Sequence, residues 1–197
     1  MLSIKDNTVN EFVIKKSKFI TYLYRVDDVD GVNTYLDFLN NEYKDATHIC
    51  YAYIIDNVKR FSDNGEPGGT AGMPILGVLE NKNLDHILCC VVRYFGGIKL
   101  GANGLVRAYS SSCGEAISNS CIVDLVPGNI CSISFNYDDT KSIDSLLSKS
   151  IIIDKVYNDK VFYKFKIDFD NLNIIKNELL KYDLNIIDEC YICKQDI

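Results

Sequence analysis

The sequence predicts an α+β protein made of two domains. Its 197 residues alternate strand-like and helix-like patterns, and most of the glycines are concentrated in one central stretch. After Pro127–Gly128 the pattern follows the order β-α-β-β-α-β, which is that of a ferredoxin-like domain. We therefore expect one domain over residues 1–127 and a ferredoxin-like domain over residues 128–197.

The first elements are two strand regions separated by a helix. Residues 9–26 are rich in β-branched and aromatic types and predict one long strand or two consecutive strands. Asp27 and Asp28 can cap a helix, because the apolar residues that follow recur at helical spacing. Residues 47–55 are apolar on both faces, which is typical of a strand in the interior of a sheet.

The central stretch predicts two helices around a buried strand. The first helix begins at or just after Thr70, with Pro74 in its first turn. Residues 87–94 lack polar alternation and predict a strand that is covered on both faces. A longer helix is expected over residues 103–119, with Arg107 projecting to solvent.

The C-terminal domain repeats a strand-helix-strand pattern twice. Its predicted elements are a strand over 130–137, a helix capped by Ser142, strands over 151–157 and 161–169, a helix over 170–182 and a strand over 184–193.

The composition is that of a soluble cytosolic protein. Hydrophobic residues make up 47% of the chain and charged residues 24%, and no apolar run approaches the roughly 20 residues of a membrane helix. The start of the chain has no signal-peptide core, so the eight cysteines are expected to be reduced thiols. Cys190 and Cys193 would point to opposite faces of a strand, where they cannot share a metal. The net charge of −6 argues against non-specific coating of nucleic acid.

Two glycine-rich loops stand out as a candidate binding site. Nine of the 12 glycines lie between Gly65 and Gly104, and eight of these nine fall in a first glycine loop (residues 60–74) and a second glycine loop (residues 93–107). Each leads into a helix, whose free N–H groups and positive dipole end can bind an anion. Neither matches a Walker loop or a dinucleotide fingerprint. The second glycine loop carries basic residues and no acidic one, although glycines that serve only tight turns are an alternative interpretation.

The predicted anion- or RNA-binding residues come from both loops. They are Arg60, Ser62, Asp63, Gly65, Glu66, Gly68, Gly69, Thr70, Arg93, Gly96, Gly97, Lys99, Gly101 and Arg107. Tyr94 and Phe95, beside two of these glycines, could stack on a base.

The sequence predicts no catalytic residue, metal or cofactor. Asp63 and Glu66 could be paired carboxylates, but turn-forming roles explain them and the loop shows too few metal ligands. His48 and Cys50 share a strand face and could form a thiol-imidazole pair, although a packed core pair is the simpler interpretation.

Four segments of the chain resemble the signatures of the IMPACT/YigZ family. They are Ser17–Ile20, Thr47–Tyr53, Arg60–Leu76 and Val92–Ser110, and the likeness covers about residues 12–120. The resemblance implies an N-terminal fold like the second domain of ribosomal protein S five. It also implies a C-terminal ferredoxin-like domain similar to the end of elongation factor G.

The resemblance also implies a role near translation. Eukaryotic members restrain a starvation-activated kinase by competing for its activator, and they use an additional N-terminal domain for this. That partner is not expected here, because the chain begins directly in the shared domain. Asn64, Met73 and Asn103 depart from the family's usual residues, and Asn64 weakens a metal site there.

We therefore predict a non-enzymatic, translation-associated regulator or binding protein. Its expected partner is RNA, the ribosome or a phosphate group, contacted through the two glycine loops. The alternatives are an enzyme acting on a phosphorylated small molecule and a pure protein-interaction module. No membrane partner is expected, and the sequence leaves the oligomeric state open.

Overall fold

A computed structural model describes residues 1–56 and 58–196 and shows a mixed α+β protein. The strands are β1 (Leu2–Ile4), β2 (Thr8–Ile14), β3 (Ser17–Arg25), β4 (His48–Ile55), β5 (Val58–Ser62), β6 (Ile87–Tyr94), β7 (Ile122–Phe135), β8 (Ile151–Tyr157), β9 (Val161–Asp168) and β10 (Asp183–Cys193). The α-helices are α1 (Val29–Glu42), α2 (Gly72–Asn81), α3 (Ala102–Ser118), α4 (Thr140–Leu146) and α5 (Phe169–Leu179).

The chain divides into two compact units, residues 1–123 and 124–197. The sequence places the domain boundary after Pro127. In the structure, β7 continues through Pro127–Gly128, so this dipeptide does not interrupt the strand. Gly128 fits there because a Cβ at this position would lie 2.5 Å from the carbonyl oxygen of Ile167 on the paired strand.

The first unit is an antiparallel sheet covered by helices on both faces. Its strands lie in the order β2-β3-β6-β4-β5, and the predicted strand region 9–26 forms two strands, β2 and β3. Helices α2 and α3 pack on one face of β6, through Cys89 and Val91. Helix α1 packs on the other face, through Leu88, Cys90 and Val92. The apolar run of β6 follows from this double cover.

Helix α1 begins where the sequence predicts. The side chain of Asp28 accepts a hydrogen bond from the backbone N–H of Gly31 at 2.7 Å, which satisfies one of the free donors of the first turn. Val32 and Leu39 are buried against the sheet, as the helical spacing indicates.

The second unit has the predicted element order β-α-β-β-α-β. Strand β7 pairs with β10 and β9, and β9 pairs with β8, all antiparallel. Helices α4 and α5 share one apolar cluster, into which each inserts buried residues such as Ile143 and Leu172. None of the helices among the described residues has the length and apolar content to cross a membrane.

Candidate functional site

The two glycine loops meet at one cleft of about 360 Å³ in the first unit, beside the start of α3. We call it the glycine-loop cleft. Its lining residues are Thr47, His48, Glu66, Pro67, Arg93, Phe95, Lys99, Leu100, Gly101, Ala102 and Leu105. The structure thus brings together four predicted site residues, Glu66, Arg93, Lys99 and Gly101.

A buried ion pair forms one wall of the cleft. Arg93 is 4% exposed and Glu66 8% exposed, and the Arg93 Nη1 donates to Glu66 Oε1. Tyr109 Oη donates to the same oxygen at 2.8 Å. Burial raises the pKa of the Tyr109 hydroxyl, which keeps it a hydrogen-bond donor.

The guanidinium of Arg93 is also held by aromatic rings. Its central carbon lies 5.5 Å from the ring centre of Phe19 and 5.7 Å from that of Phe95, both within cation-π range. Within the described residues, Arg93 Nε is buried without a hydrogen-bond partner. Arg93 is therefore paired and packed, and it is not a free cation on the surface.

His48 presents a hydrogen-bond acceptor to the cleft. Its Nδ1–H donates to the carbonyl oxygen of Asn64 at 2.8 Å, because a carbonyl can only accept. In the neutral ring, Nε2 then carries the lone pair, and it lies 3.8 Å from Glu66 Oε2. Asn64 also accepts from the N–H of Ile49 at 3.0 Å through its side chain. Asn64 thus fixes the orientation of His48.

Cys50 lies behind the cleft and does not form the thiol-imidazole pair considered from sequence. Its Sγ lies 3.0 Å from the carbonyl oxygen of Asp63 and 3.3 Å from Tyr109 Oη. Burial raises the pKa of this thiol to about 12. A group that stays protonated near neutral pH is a poor nucleophile.

Asp63 fills the anion position of the first glycine loop itself. Its carboxylate accepts hydrogen bonds from the N–H groups of Gly69 at 2.8 Å and of Ala71 and Gly72 at 2.9 Å each. Burial alone would raise the pKa of Asp63, but these donors outweigh it and the pKa lies below its ordinary value. The helix start of α2 therefore does not present these amides to an external phosphate.

Replacing Asp63 with Asn is expected to lower the free energy of unfolding by about 2–3 kcal/mol at neutral pH, since one carboxylate organises three amides. Because the folded pKa is depressed, this stabilisation is present above the unfolded pKa of about 4 and is lost as the pH falls through the folded value. Urea denaturation at pH 7 and pH 3 measures both effects. If the two proteins differed in their free energy of unfolding as much at pH 3 as at pH 7, this role of Asp63 would be contradicted.

The second glycine loop leaves its helix start open to the cleft. Helix α3 is 17 residues long, its N-cap Gly101 offers no side-chain hydrogen bond, and its first turn has no acidic residue. Gly101 and Ala102 line the cleft beside the exposed Lys99. This helix start therefore retains the positive potential that α2 has neutralised.

Several predicted site residues lie outside the cleft. Arg60 is exposed on the edge strand β5, opposite Tyr53, on the sheet face that carries α1. Arg107 is exposed on α3, as its helical projection predicts. Thr70 Oγ1 donates to the carbonyl oxygen of Pro67 at 2.7 Å, and Ser62 Oγ accepts from the N–H of Asn64 at 3.2 Å. The remaining predicted residues outside the cleft are Gly65, Gly68, Gly69, Gly96 and Gly97.

The sequence-based site omits three residues that shape the cleft. His48 lines it beside Glu66, and the buried Tyr109 supports Glu66 by donating to its Oε1. Thr47 lines it and accepts from the N–H of Phe95 through Oγ1 at 3.0 Å. A signal for Tyr109 was available, because its helical projection places it on the buried side of α3 among apolar residues, where a hydroxyl requires a partner.

The family comparison covers the unit that contains this cleft. The model of the Impact N-terminal domain matches residues 15–117. YvyE of Bacillus subtilis is 35% identical over 85% of this chain and 77% of its own length. YigZ of Escherichia coli is 36% identical over 69% of both chains.

A solved structure shares the architecture of nearly the whole chain. It is described as that of a hypothetical protein, with a TM-score of 0.68 and 29% identity over 95% of this chain and 97% of that one. The matched domain includes both glycine loops and every residue that lines the cleft. This chain therefore belongs to the IMPACT family.

Proposed function

We propose that this protein is a translation-associated regulator that contacts RNA or a ribosomal surface through the glycine-loop cleft. The observation that carries the proposal is the meeting of both glycine loops at one cleft, beside the open start of α3. The translational role rests on family membership and on the resemblance described from sequence. Neither the family membership nor the sequence resemblance requires a catalytic reaction at the cleft.

The charge distribution supports an anionic partner at the cleft. Residues 93–107 contain no Asp or Glu in a chain of net charge −6, and Lys99 stands exposed at the cleft edge. Phe95 is 47% exposed, so part of its ring is accessible to a base. Lys99, the amides at the start of α3 and Phe95 together form a surface suited to a nucleotide chain.

Replacing Lys99 with Ala is expected to weaken binding to ribosomes or structured RNA by roughly three- to tenfold, through the loss of one charged contact. The slope of log affinity against log salt concentration should fall by roughly 0.7 to 1. Sedimentation of the full chain with ribosomes, and fluorescence anisotropy with RNA, at several salt concentrations measure both quantities.

The matched control is Lys82→Ala. Lys82 is exposed at the C-terminal end of α2 and is not among the residues that line the cleft. Arg107→Ala tests whether the contact surface continues along α3. Salt-dependent binding that is lost equally in the Lys99 and Lys82 variants would place the contact elsewhere. Absence of salt-dependent binding in the unsubstituted protein would overturn the proposal.

We also propose a specific fold for each of the two units. The order β10-β7-β9-β8 with both helices in one cluster supports a ferredoxin-like second unit, and family membership supports the ribosomal-protein-like first unit. The cysteines of the described residues are thiols and not disulfides, which supports a place of work in the reducing cytosol.

An enzyme acting on a phosphorylated small molecule is the second candidate function. The observation that favours it is the Nε2 lone pair of His48 beside Glu66 at the cleft, since a positioned imidazole can serve as a general base. A thermal-shift screen of phosphorylated metabolites, followed by phosphorus NMR of each stabilising compound, tests it. Stabilisation without turnover would support binding alone.

A further inference from the structure

Two neighbouring groups that line the cleft, Glu66 Oε2 and His48 Nε2, can accept hydrogen bonds. Glu66 Oε1 receives the hydrogen bonds of Arg93 and Tyr109. Glu66 Oε2 lies 3.8 Å from His48 Nε2. That distance is too long for a hydrogen bond.

Both residues line the cleft, where hydrogen-bond donors of a ligand can reach the two acceptors. Glu66 is 8% exposed, and leaving a largely buried carboxylate oxygen without a donor is costly. The tautomer of His48 is set by its bond to Asn64, so in its neutral form Nε2 is also an acceptor. Two acceptors 3.8 Å apart match two hydroxyl groups on neighbouring carbon atoms.

Other lining residues of the cleft have the opposite polarity. The open start of α3 and Lys99 supply hydrogen-bond donors and positive charge, which favours a phosphate group. Phe95, Leu100 and Leu105 supply aromatic and apolar surface. The volume of about 360 Å³ lies in the range of small-ligand sites.

We infer that the glycine-loop cleft binds one ribonucleotide, with its 2′-hydroxyl on His48 Nε2, its 3′-hydroxyl on Glu66 Oε2 and its phosphate at Lys99 and the start of α3. The base lies against Phe95. A carboxylate that accepts a ribose hydroxyl is a general device for recognising ribose, and the 2′-hydroxyl distinguishes RNA from DNA. This inference rests on the proposed function, since it specifies what the same cleft recognises.

The same chemistry has two sources, a free ribonucleotide and the 3′-terminal nucleotide of RNA, which keeps both ribose hydroxyls free. The probes are therefore the four ribonucleoside 5′-monophosphates, their 2′-deoxy counterparts, and eight-residue RNA and DNA oligomers with a free 3′-hydroxyl. Isothermal titration of the full chain with each probe gives the ratio of ribose to deoxyribose affinity. We expect at least one ribose probe to bind roughly three- to tenfold tighter than its deoxy counterpart, as one hydrogen bond provides.

His48→Ala is expected to abolish this ratio while the deoxy probe keeps its affinity. Lys99→Ala should weaken ribose and deoxyribose probes equally and leave the ratio intact. Loosening of the loop by the His48 substitution would weaken all probes together, so the ratio separates recognition from a structural effect.

The outcomes separate this inference from the proposed function. Two outcomes would overturn the inference alone. The first is salt-dependent binding of ribosomes or RNA without a preference for ribose over deoxyribose. The second is a ribose preference that His48→Ala leaves unchanged. Binding of a free ribonucleotide but not of RNA or ribosomes would support the inference and overturn the RNA contact. Absence of binding to every probe and to ribosomes would overturn both.

Discussion

Glu66→Gln is expected to lower the free energy of unfolding by about 3–5 kcal/mol, the largest effect of any single substitution near the cleft. The substitution keeps the size and shape of the side chain but removes the charge that compensates Arg93. Because Arg93 is 4% exposed, its guanidinium would remain buried as an uncompensated cation. Urea denaturation followed by circular dichroism measures the loss, and hydrogen exchange in β6 locates it.

Two further variants show that the loss comes from burial. Glu80→Gln removes an exposed partner of Lys59 and is expected to change the free energy of unfolding by at most about 0.5 kcal/mol. The double variant Glu66→Gln, Arg93→Met removes both charges and should recover much of the lost stability, as replacement of buried pairs by apolar groups often does. A Glu66→Gln protein as stable as Glu80→Gln would show that the pair is solvated.

The elements of the fold were predictable because local patterns determine them. Strand β6 lies over Ile87–Tyr94 as its unbroken apolar run indicates, since only a strand covered on both faces can bury every side chain. Helix α1 follows its cap at Asp28 because capping depends on residues three positions apart. Pro127–Gly128 lies within β7 (Ile122–Phe135), because the strand pairing overrides the local turn preference of this dipeptide.

The role of Arg93 could not be read from its charge. Its partner Glu66 lies 27 positions earlier, and only the meeting of the two loops makes the pair. Strand alternation offered a partial signal, since Arg93 stands two residues after Val91 and therefore faces the same buried side as α2 and α3. A cation on a buried strand face predicts a buried carboxylate partner.

The role of Asp63 was also beyond a local interpretation. Turn chemistry predicts that Asp63 bonds an amide about two residues ahead, whereas the structure directs its carboxylate to Gly69, Ala71 and Gly72. That reach requires the whole loop to fold back, which local propensity does not specify. The same loop geometry explains why a predicted phosphate position is occupied by a side chain of the protein itself.

Gly96→Ala is expected to destabilise the first unit by about 3 kcal/mol or more, because the new methyl group cannot be accommodated without backbone movement. A Cβ at Gly96 would lie 2.0 Å from the carbonyl carbon of Lys16 and 2.1 Å from its oxygen. The second glycine loop packs here against the turn between β2 and β3, and the N–H of Gly96 donates to Ser17 Oγ at 3.1 Å. Urea denaturation measures the cost.

Gly68→Ala is the matched control in the first glycine loop. A Cβ there has no described atom within 4 Å, so the free energy of unfolding should change by at most about 0.5 kcal/mol.

Displacing Gly96 also moves the loop that carries Lys99 and Gly101, so Gly96→Ala should weaken RNA or nucleotide binding at temperatures where the protein is still folded. Equal stability of the two variants would mean that the loop and the β2–β3 turn are not in close contact, and the cleft would then lack the support that fixes its open helix start.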